Sequence, residues 1–184
     1  MAYKFKINSR YYDVLKSYIL AGIPVIFFVG SIFHFLYQWS GQSTLIAMIS
    51  PVNESVWEHL KLVLWPTILW WLVGYYTIGK KANSTPQLFA VCCLCSLLVS
   101  MTTILAFFYT YTGILGIESL MLDILGMLIG IILGQLMALH IVKYCNPSSY
   151  WLYISVFIIA VIVIMFVAFT FSPPKLPIFI PPSL

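Results

Sequence analysis

Residues 17–39 read SYILAGIPVIFFVGSIFHFLYQW and contain no Asp, Glu, Lys or Arg. An α-helix rises about 1.5 Å per residue, so a stretch of this length can cross the roughly 30 Å hydrocarbon core of a bilayer. It is longer than the apolar part of a cleavable signal peptide, and no small-residue cleavage motif follows it. The stretch therefore predicts a retained transmembrane helix.

The whole chain has the composition of a membrane protein. Of its 184 residues, 62% are hydrophobic and 8% are charged, and the mean hydropathy is +1.02. Soluble domains carry about 25% charged residues. A net charge of +4 can indicate nucleic-acid binding, but here the basic residues lie at the ends of apolar stretches, where they direct membrane topology. We therefore expect the lipid bilayer as a partner and no nucleic acid.

Four more apolar stretches are long enough to cross a bilayer. Together with the first, they predict one domain with an all-α fold, a polytopic membrane helix bundle of about five transmembrane helices. The predicted spans are residues 17–39, 56–78, 86–109, 118–142 and 150–171. A proline-rich tail at 172–184 is expected to be extended, because its five prolines disfavour a helix.

Basic residues are distributed unevenly between the two ends of these spans. Seven of the nine Lys and Arg residues fall on one side of the predicted bundle: Lys4, Lys6, Arg10, Lys16, Lys80, Lys81 and Lys143. Loops rich in Lys and Arg remain in the cytoplasm. This bias predicts a multi-pass protein of the cell membrane with its N-terminus inside, its C-terminus outside and the tail on the outer side.

The fourth predicted span carries small residues at regular intervals. Gly126, Gly130 and Gly134 are spaced by four, which places them on one face of a helix. Small residues let helix backbones approach closely in lipid, where packing drives association. The stripe predicts a packing face for another helix of the same chain or for a second copy in a homo-oligomer, and the spacing does not distinguish the two.

Ionisable residues from three predicted spans fall at similar depth near the outer side. His34 lies five residues before the end of the first span, and Asp123 lies five residues after the start of the fourth, so each is about 7–8 Å inside. Glu58 and His59 lie near the outer start of the second span. Ionisable side chains in membrane helices usually face the bundle interior and pair there. We therefore expect an outward-opening pocket of histidines and carboxylates.

The densest polar segment, residues 50–61, reads SPVNESVWEHLK. Serine followed by proline is typical of a helix start, which predicts Ser50 as N-cap and Pro51 as the first helical residue. A purely structural interpretation of this segment pairs Glu58 with Lys61, three residues along the same helix face.

The first functional hypothesis is a metal-dependent membrane hydrolase acting at the outer membrane surface. His34, His59 and Asp123 would be the three protein ligands of a divalent metal such as zinc, with water in the fourth position. Glu54 or Glu58 would act as the general base.

Two other functions remain open at this point. Intramembrane carboxylates and histidines also form proton relays, so the protein could be a proton- or cation-coupled transporter or a component of one. A proline at position 66 predicts a kink that suits such a carrier, although the charged residues stay in the outer half of the spans. A non-catalytic accessory or sensor membrane protein would need only the bundle and a partner surface.

Several segments resemble a family of small bacterial integral membrane proteins whose function is unknown. They are GSIFHFLYQWSG (30–41), PVNESVWEHLK (51–61), YTYTGILG (109–116) and FTFSPPKLPIF (169–179). The resemblance extends from the first span to the tail and is carried most specifically by PVNESVWEHLK. It implies a bacterial membrane protein and supplies no activity, so the functional hypotheses rest on the residues themselves.

Overall fold

The computed structural model of the protein describes residues 9–81 and 84–181. Within these residues the chain is helical and has no β-strand, and five helices are long and apolar enough to cross a membrane. The predicted all-α fold class with about five transmembrane helices is therefore confirmed. Lys4 and Lys6, which contributed to the predicted orientation, lie outside the described residues, as do residues 182–184 of the tail.

Seven α-helices occur in the described part of the chain. They are α1 (Ser9–Trp39), α2 (Thr44–Ala47), α3 (Val56–His59), α4 (Lys61–Gly74), α5 (Pro86–Leu115), α6 (Leu120–Tyr144) and α7 (Tyr150–Phe171). A π-helical turn, Tyr75–Gly79, continues α4, so that α3, α4 and this turn together form the second candidate span, Val56–Gly79. A short 3-10 helix, Pro177–Phe179, lies in the tail.

The predicted helix start at Pro51 is wrong. Ser55 is the N-cap of α3: its backbone is extended, and its hydroxyl accepts a hydrogen bond from the amide of Glu58. Residues 51–55 are not helical. Ser50 bonds instead to α1, because its hydroxyl donates to the carbonyl of Phe33. A tertiary contact therefore overrides the local preference of the Ser-Pro pair.

Helix α5, which corresponds to the third predicted span, ends later than the sequence pattern predicts. It continues to Leu115, whereas the predicted span ended at residue 109. Gly116 follows with a φ of 64°, a left-handed conformation that glycine adopts without strain and that commonly ends helices.

The tail folds back onto the bundle. The prediction of an extended segment is corrected at Pro177–Phe179, which form one turn of 3-10 helix. The ring of Phe179 lies 4.9 Å from that of Trp57, and Trp57 also stacks on Phe166 of α7 at 4.2 Å. Burial of aromatic surface gives the tail this position, across α3.

The helices form one bundle in which α5 is central. It packs against α4, α6 and α7, while α1 packs against α4 and α6. The face of α6 that carries Gly126, Gly130 and Gly134 meets α5: a Cβ atom at Gly134 would lie 2.6 Å from the carbonyl oxygen of Ser96. The predicted packing face therefore serves a helix of the same chain. Homo-oligomerisation stays a prediction that would need another surface.

The backbones of α1 and α4 come into contact one turn before a proline. Pro66 has no amide hydrogen, so the carbonyl of Leu62 lacks its usual partner one turn further along α4. This carbonyl lies against Gly30 of α1, where any Cβ atom would collide with it. Glycine at this position therefore lets the two backbones touch, one turn away from His34.

Candidate metal site

Three side chains from three parts of the chain converge at one end of the bundle. His34 belongs to the last turns of α1, Glu54 to the non-helical segment before α3, and His59 is the last residue of α3. The two histidine Nε2 atoms lie 3.2 Å apart. One oxygen of Glu54, Oε2, lies 3.7 Å from Nε2 of His34 and 3.3 Å from Nε2 of His59. These residues form a group that could hold a metal ion.

The spacing of these three atoms suits a small transition-metal ion. The point equidistant from all three, in their common plane, is about 2.0 Å from each, which matches zinc–nitrogen and zinc–carboxylate bonds of about 2.0–2.2 Å. The three distances therefore accommodate an ion at or just above this point. Calcium takes longer bonds and oxygen ligands, so two imidazoles in three positions favour a metal such as zinc.

His59 is oriented for binding by its second ring nitrogen. Its Nδ1 lies 3.0 Å from the carbonyl oxygen of Ser55. A carbonyl only accepts, so Nδ1 carries the hydrogen and donates it, which leaves the lone pair of Nε2 directed at His34 and Glu54. Metal-binding histidines are commonly fixed in this way. Ser55 thus caps α3 with its hydroxyl and orients His59 with its carbonyl.

The group is open on the side of Glu54. The side chain of Glu54 is 59% exposed, and each histidine side chain is 30% exposed. All three side chains therefore have part of their surface outside the protein. Catalytic zinc sites keep such an open position beside three protein ligands.

Glu58, one of the two predicted bases, is engaged elsewhere. It is buried, and its Oε2 accepts hydrogen bonds from the ammonium of Lys61 at 2.7 Å and from the amide of Val52 at 2.9 Å. Its Oε1 lies 3.1 Å from the hydroxyl of Thr170, whose single hydrogen is shared with the carbonyl oxygen of Phe166 at 2.8 Å. The Oε2 atom is thus occupied by two donors. The structure contains the Glu58–Lys61 pair that the structural interpretation of this segment anticipated.

Asp123 is not part of the group formed by the two histidines. Its Oδ1 accepts a hydrogen bond of 2.6 Å from the hydroxyl of Tyr111, near the end of α5. The same hydroxyl accepts a bond from the amide of Ser119, just before α6. The carboxylate therefore joins α5 to α6. Among the described residues, Glu54 occupies the third place of the histidine group that the sequence had given to Asp123.

One sequence signal for this geometry was available. Ser55 and Glu58 are three residues apart, the spacing of a capping box, which predicts a helix start at Val56. That start would have separated Glu54 from the helix that carries His59. The fold of residues 40–55, which returns Glu54 to α1, has no periodic signal in the sequence.

Comparisons with known proteins give a family and no activity. A family model described as "Family of unknown function (DUF6512)" matches residues 7–182. No curated protein and no solved structure matches the chain.

Proposed function

The chain belongs to this family of unknown function, as the sequence resemblance predicted, and we propose that it is a metal-dependent membrane hydrolase. Its metal would be a divalent ion such as zinc, held by His34, Glu54 and His59. The observation that carries the proposal is the triangle of ligand atoms, whose centre lies about 2.0 Å from each of them. Two histidines and one carboxylate with an open fourth position are also the ligand set of known zinc hydrolases.

In this proposal the three ligands and Ser55 have separate roles. Zinc, when bound, supplies Lewis acidity and makes an attacking water more acidic. His34 and His59 hold the ion, Glu54 offsets one of its positive charges, and Ser55 keeps the His59 ring in the orientation for binding. Water and substrate enter from the exposed side of Glu54.

This assignment changes the roles proposed from the sequence alone. Glu54 becomes a metal ligand instead of the general base. Glu58 becomes a structural residue, because it is buried and its Oε2 already accepts hydrogen bonds from Val52 and Lys61. Asp123 leaves the ligand set because it is bonded to Tyr111.

The position of the site suggests a substrate at the bilayer surface. His34 lies near the end of a membrane-spanning helix that finishes with two exposed aromatic rings, Phe35 and Trp39, stacked at 5.5 Å. Such rings favour the level of the lipid headgroups. With the N-terminus inside, this end of the bundle faces the outer surface, and lipids or molecules adsorbed on lipid are the substrates it can reach.

Metal analysis of the detergent-purified chain tests the proposal. We expect about one zinc per chain in the wild type, the stoichiometry of a three-ligand site, and loss of that zinc in His34→Ala and His59→Ala. The matched control is His140→Ala, since His140 is exposed and lies outside the group, beside Tyr144. A wild-type protein that holds no zinc, even after zinc is supplied, would refute the proposal.

Absence of zinc would remove the hydrolase, but bound zinc would be compatible with a cation transporter or a metal sensor as well. The hydrolase therefore also requires that the zinc-loaded chain hydrolyse a lipid ester and that His34→Ala abolish this activity. Flux into proteoliposomes that depends on Asp123 would favour the transporter, and co-purification of a stable partner would favour the accessory protein.

A further inference from the structure

A lysine and a glutamate are buried together beside the candidate metal site. Lys61, the first residue of α4, has no exposed surface, and Glu58 of α3 is 3% exposed. Removing both charges from water costs several kcal/mol per ion, and a well-packed apolar pair is often as stable. The pair is therefore better explained by what its hydrogen bonds hold in place than by stability alone.

Lys61 binds the segment that precedes α3. An ammonium group has three hydrogens to donate, and Lys61 has three acceptors. They are the carboxylate of Glu58 at 2.7 Å and the carbonyl oxygens of Ala47 and Ser50 at 2.8 Å and 3.3 Å. The lysine therefore fixes the end of α2 and the segment that follows it to the start of α4.

Ser50 extends this connection to α1. Its hydroxyl donates to the carbonyl of Phe33 at 2.6 Å and accepts from the amide of Tyr37 at 3.1 Å. These two backbone groups belong to residues four apart, and His34 lies between them in the sequence. The position of Ser50 is thus tied to the turn of α1 that carries the first histidine.

Glu58, the other residue of the buried pair, contacts two further parts of the chain. It accepts from the amide of Val52, two residues before Glu54, and its Oε1 lies 3.1 Å from the hydroxyl of Thr170 on α7. It also lies directly before His59 in the chain. The segments that carry His34, Glu54 and His59 are therefore all bonded to one buried network.

We propose that Glu58 and Lys61 form a positioning pair for the metal ligands. This inference rests on the proposed function. The pair sets the distance from Glu54 and His59 to His34, while neither of its side chains belongs to the ligand group. The backbone carbonyls of residues 47 and 50 need a donor, which an apolar replacement of Lys61 would not provide.

The test compares the wild type with the double variant Glu58→Gln/Lys61→Met, which removes both charges at once. Cobalt(II) is the probe, because its visible spectrum reports ligand geometry as well as binding. We expect cobalt affinity to fall about ten- to a hundredfold, as it does when outer-shell partners of metal ligands are removed, and the spectrum to change. Lys80→Met, at an exposed lysine directly after the π-helical turn that continues α4, should behave as the wild type.

Hydrogen exchange in metal-free protein gives a second readout that does not require an ion. In the double variant, amides of residues 44–60 should exchange faster, while those of α5 and α6 should not change. If the double variant does not fold, Ser50→Ala replaces it, because it removes only the two bonds to α1 and should shift affinity and exchange in the same direction.

The outcomes distinguish the two proposals. A variant that binds cobalt with wild-type affinity and an unchanged spectrum would overturn the positioning role while leaving the metal site intact. A wild type that binds no cobalt would overturn the proposed function. In that event the exchange data decide the positioning role, which fails if residues 44–60 remain as protected in the variant as in the wild type.

Discussion

The Nε2 atoms of His34 and His59 lie 3.2 Å apart, although 25 positions separate these residues in the chain. Two neutral imidazoles can share only one hydrogen bond through these atoms. Here a carboxylate oxygen of Glu54 also lies within 3.7 Å of both nitrogens. The carboxylate can accept a hydrogen bond from an Nε2–H group, and the same three atoms lie close enough together to bind one metal ion.

Replacement of Glu54 tests the third ligand. In Glu54→Gln, an amide replaces the carboxylate, and we expect zinc affinity to fall by about tenfold or more because the ligand's charge is lost. The unfolding temperature should not change, since this side chain is largely exposed. Isothermal titration measures the affinity, and Glu118→Gln is a control at another exposed acidic residue. Equal affinity in Glu54→Gln and the wild type would remove Glu54 from the site.

Metal preference tests the ligand chemistry. With two nitrogen ligands and one oxygen ligand, the site should bind zinc and cobalt more tightly than magnesium or calcium, which prefer all-oxygen sites. Competition dialysis of the purified chain against equal concentrations of the four ions measures this order. Retention of calcium or magnesium in preference to zinc would contradict the assignment of the histidines as ligands.

Variants of Asp123 distinguish the two ligand sets: the one predicted from the sequence includes Asp123, and the one in the structure includes Glu54. Asp123→Asn and Tyr111→Phe should both retain zinc, because the structure places this carboxylate against Tyr111. Tyr111→Phe should lower the free energy of unfolding by about 1–3 kcal/mol, since the hydrogen bond is lost. Asp123→Asn should lower it less, because the amide oxygen can still accept from Tyr111 although the charge is removed. Metal content and thermal unfolding are measured on the same samples. Loss of zinc in Asp123→Asn, with the fold preserved, would restore Asp123 as a ligand.

The glycine face of α6 predicts a steric effect. In Gly134→Ala, the new methyl group would lie 2.6 Å from the carbonyl oxygen of Ser96, a backbone atom that cannot rotate away. We expect destabilisation of about 1–3 kcal/mol, as is typical of overpacking. Gly113→Ala on α5 meets nothing within 4 Å and should be neutral or slightly stabilising, because alanine favours helix. Thermal unfolding in detergent compares the two.

The predicted orientation can be tested by thiol labelling in intact cells. Cys145 is exposed, so it is first replaced by Ser. A membrane-impermeant reagent should then label Lys175→Cys in intact cells and Lys80→Cys only after lysis, because the basic loop is expected in the cytoplasm. The reverse labelling pattern would place the N-terminus outside the cell and the candidate site on the cytoplasmic side.

The fold was predictable because lipid imposes few options. A backbone in hydrocarbon must satisfy its own hydrogen bonds, so long apolar stretches become helices. This reasoning needs only length and hydropathy, and it found the five candidate spans, although not the short helix α2. It located their ends less well, since α5 ends where Gly116 turns and α3 begins where Ser55 caps it.

The site was predictable only in part, because the depth of a residue in the membrane does not determine the direction in which its side chain points. Helix rise gives the depth of a residue in the membrane, and it placed both histidines and Asp123 at similar levels. It does not give the rotation of each helix about its own axis. The rotation of α6 turns the side chain of Asp123 toward Tyr111. Glu54 lies in a segment without periodicity, and its place follows from bonds made by Lys61 and Ser50.

The contact between Gly30 and the carbonyl of Leu62 has a mechanical consequence. Gly30 lies one turn before His34, and Leu62 lies three residues after His59, so the touching backbones act as a fulcrum close to both imidazoles. Atoms about 6 Å from such a point move only about half an ångström when one helix tilts by about 5° against the other. Tilting of α1 against α4 would therefore displace the far ends of these helices much more than it would change the distance between the two imidazole rings.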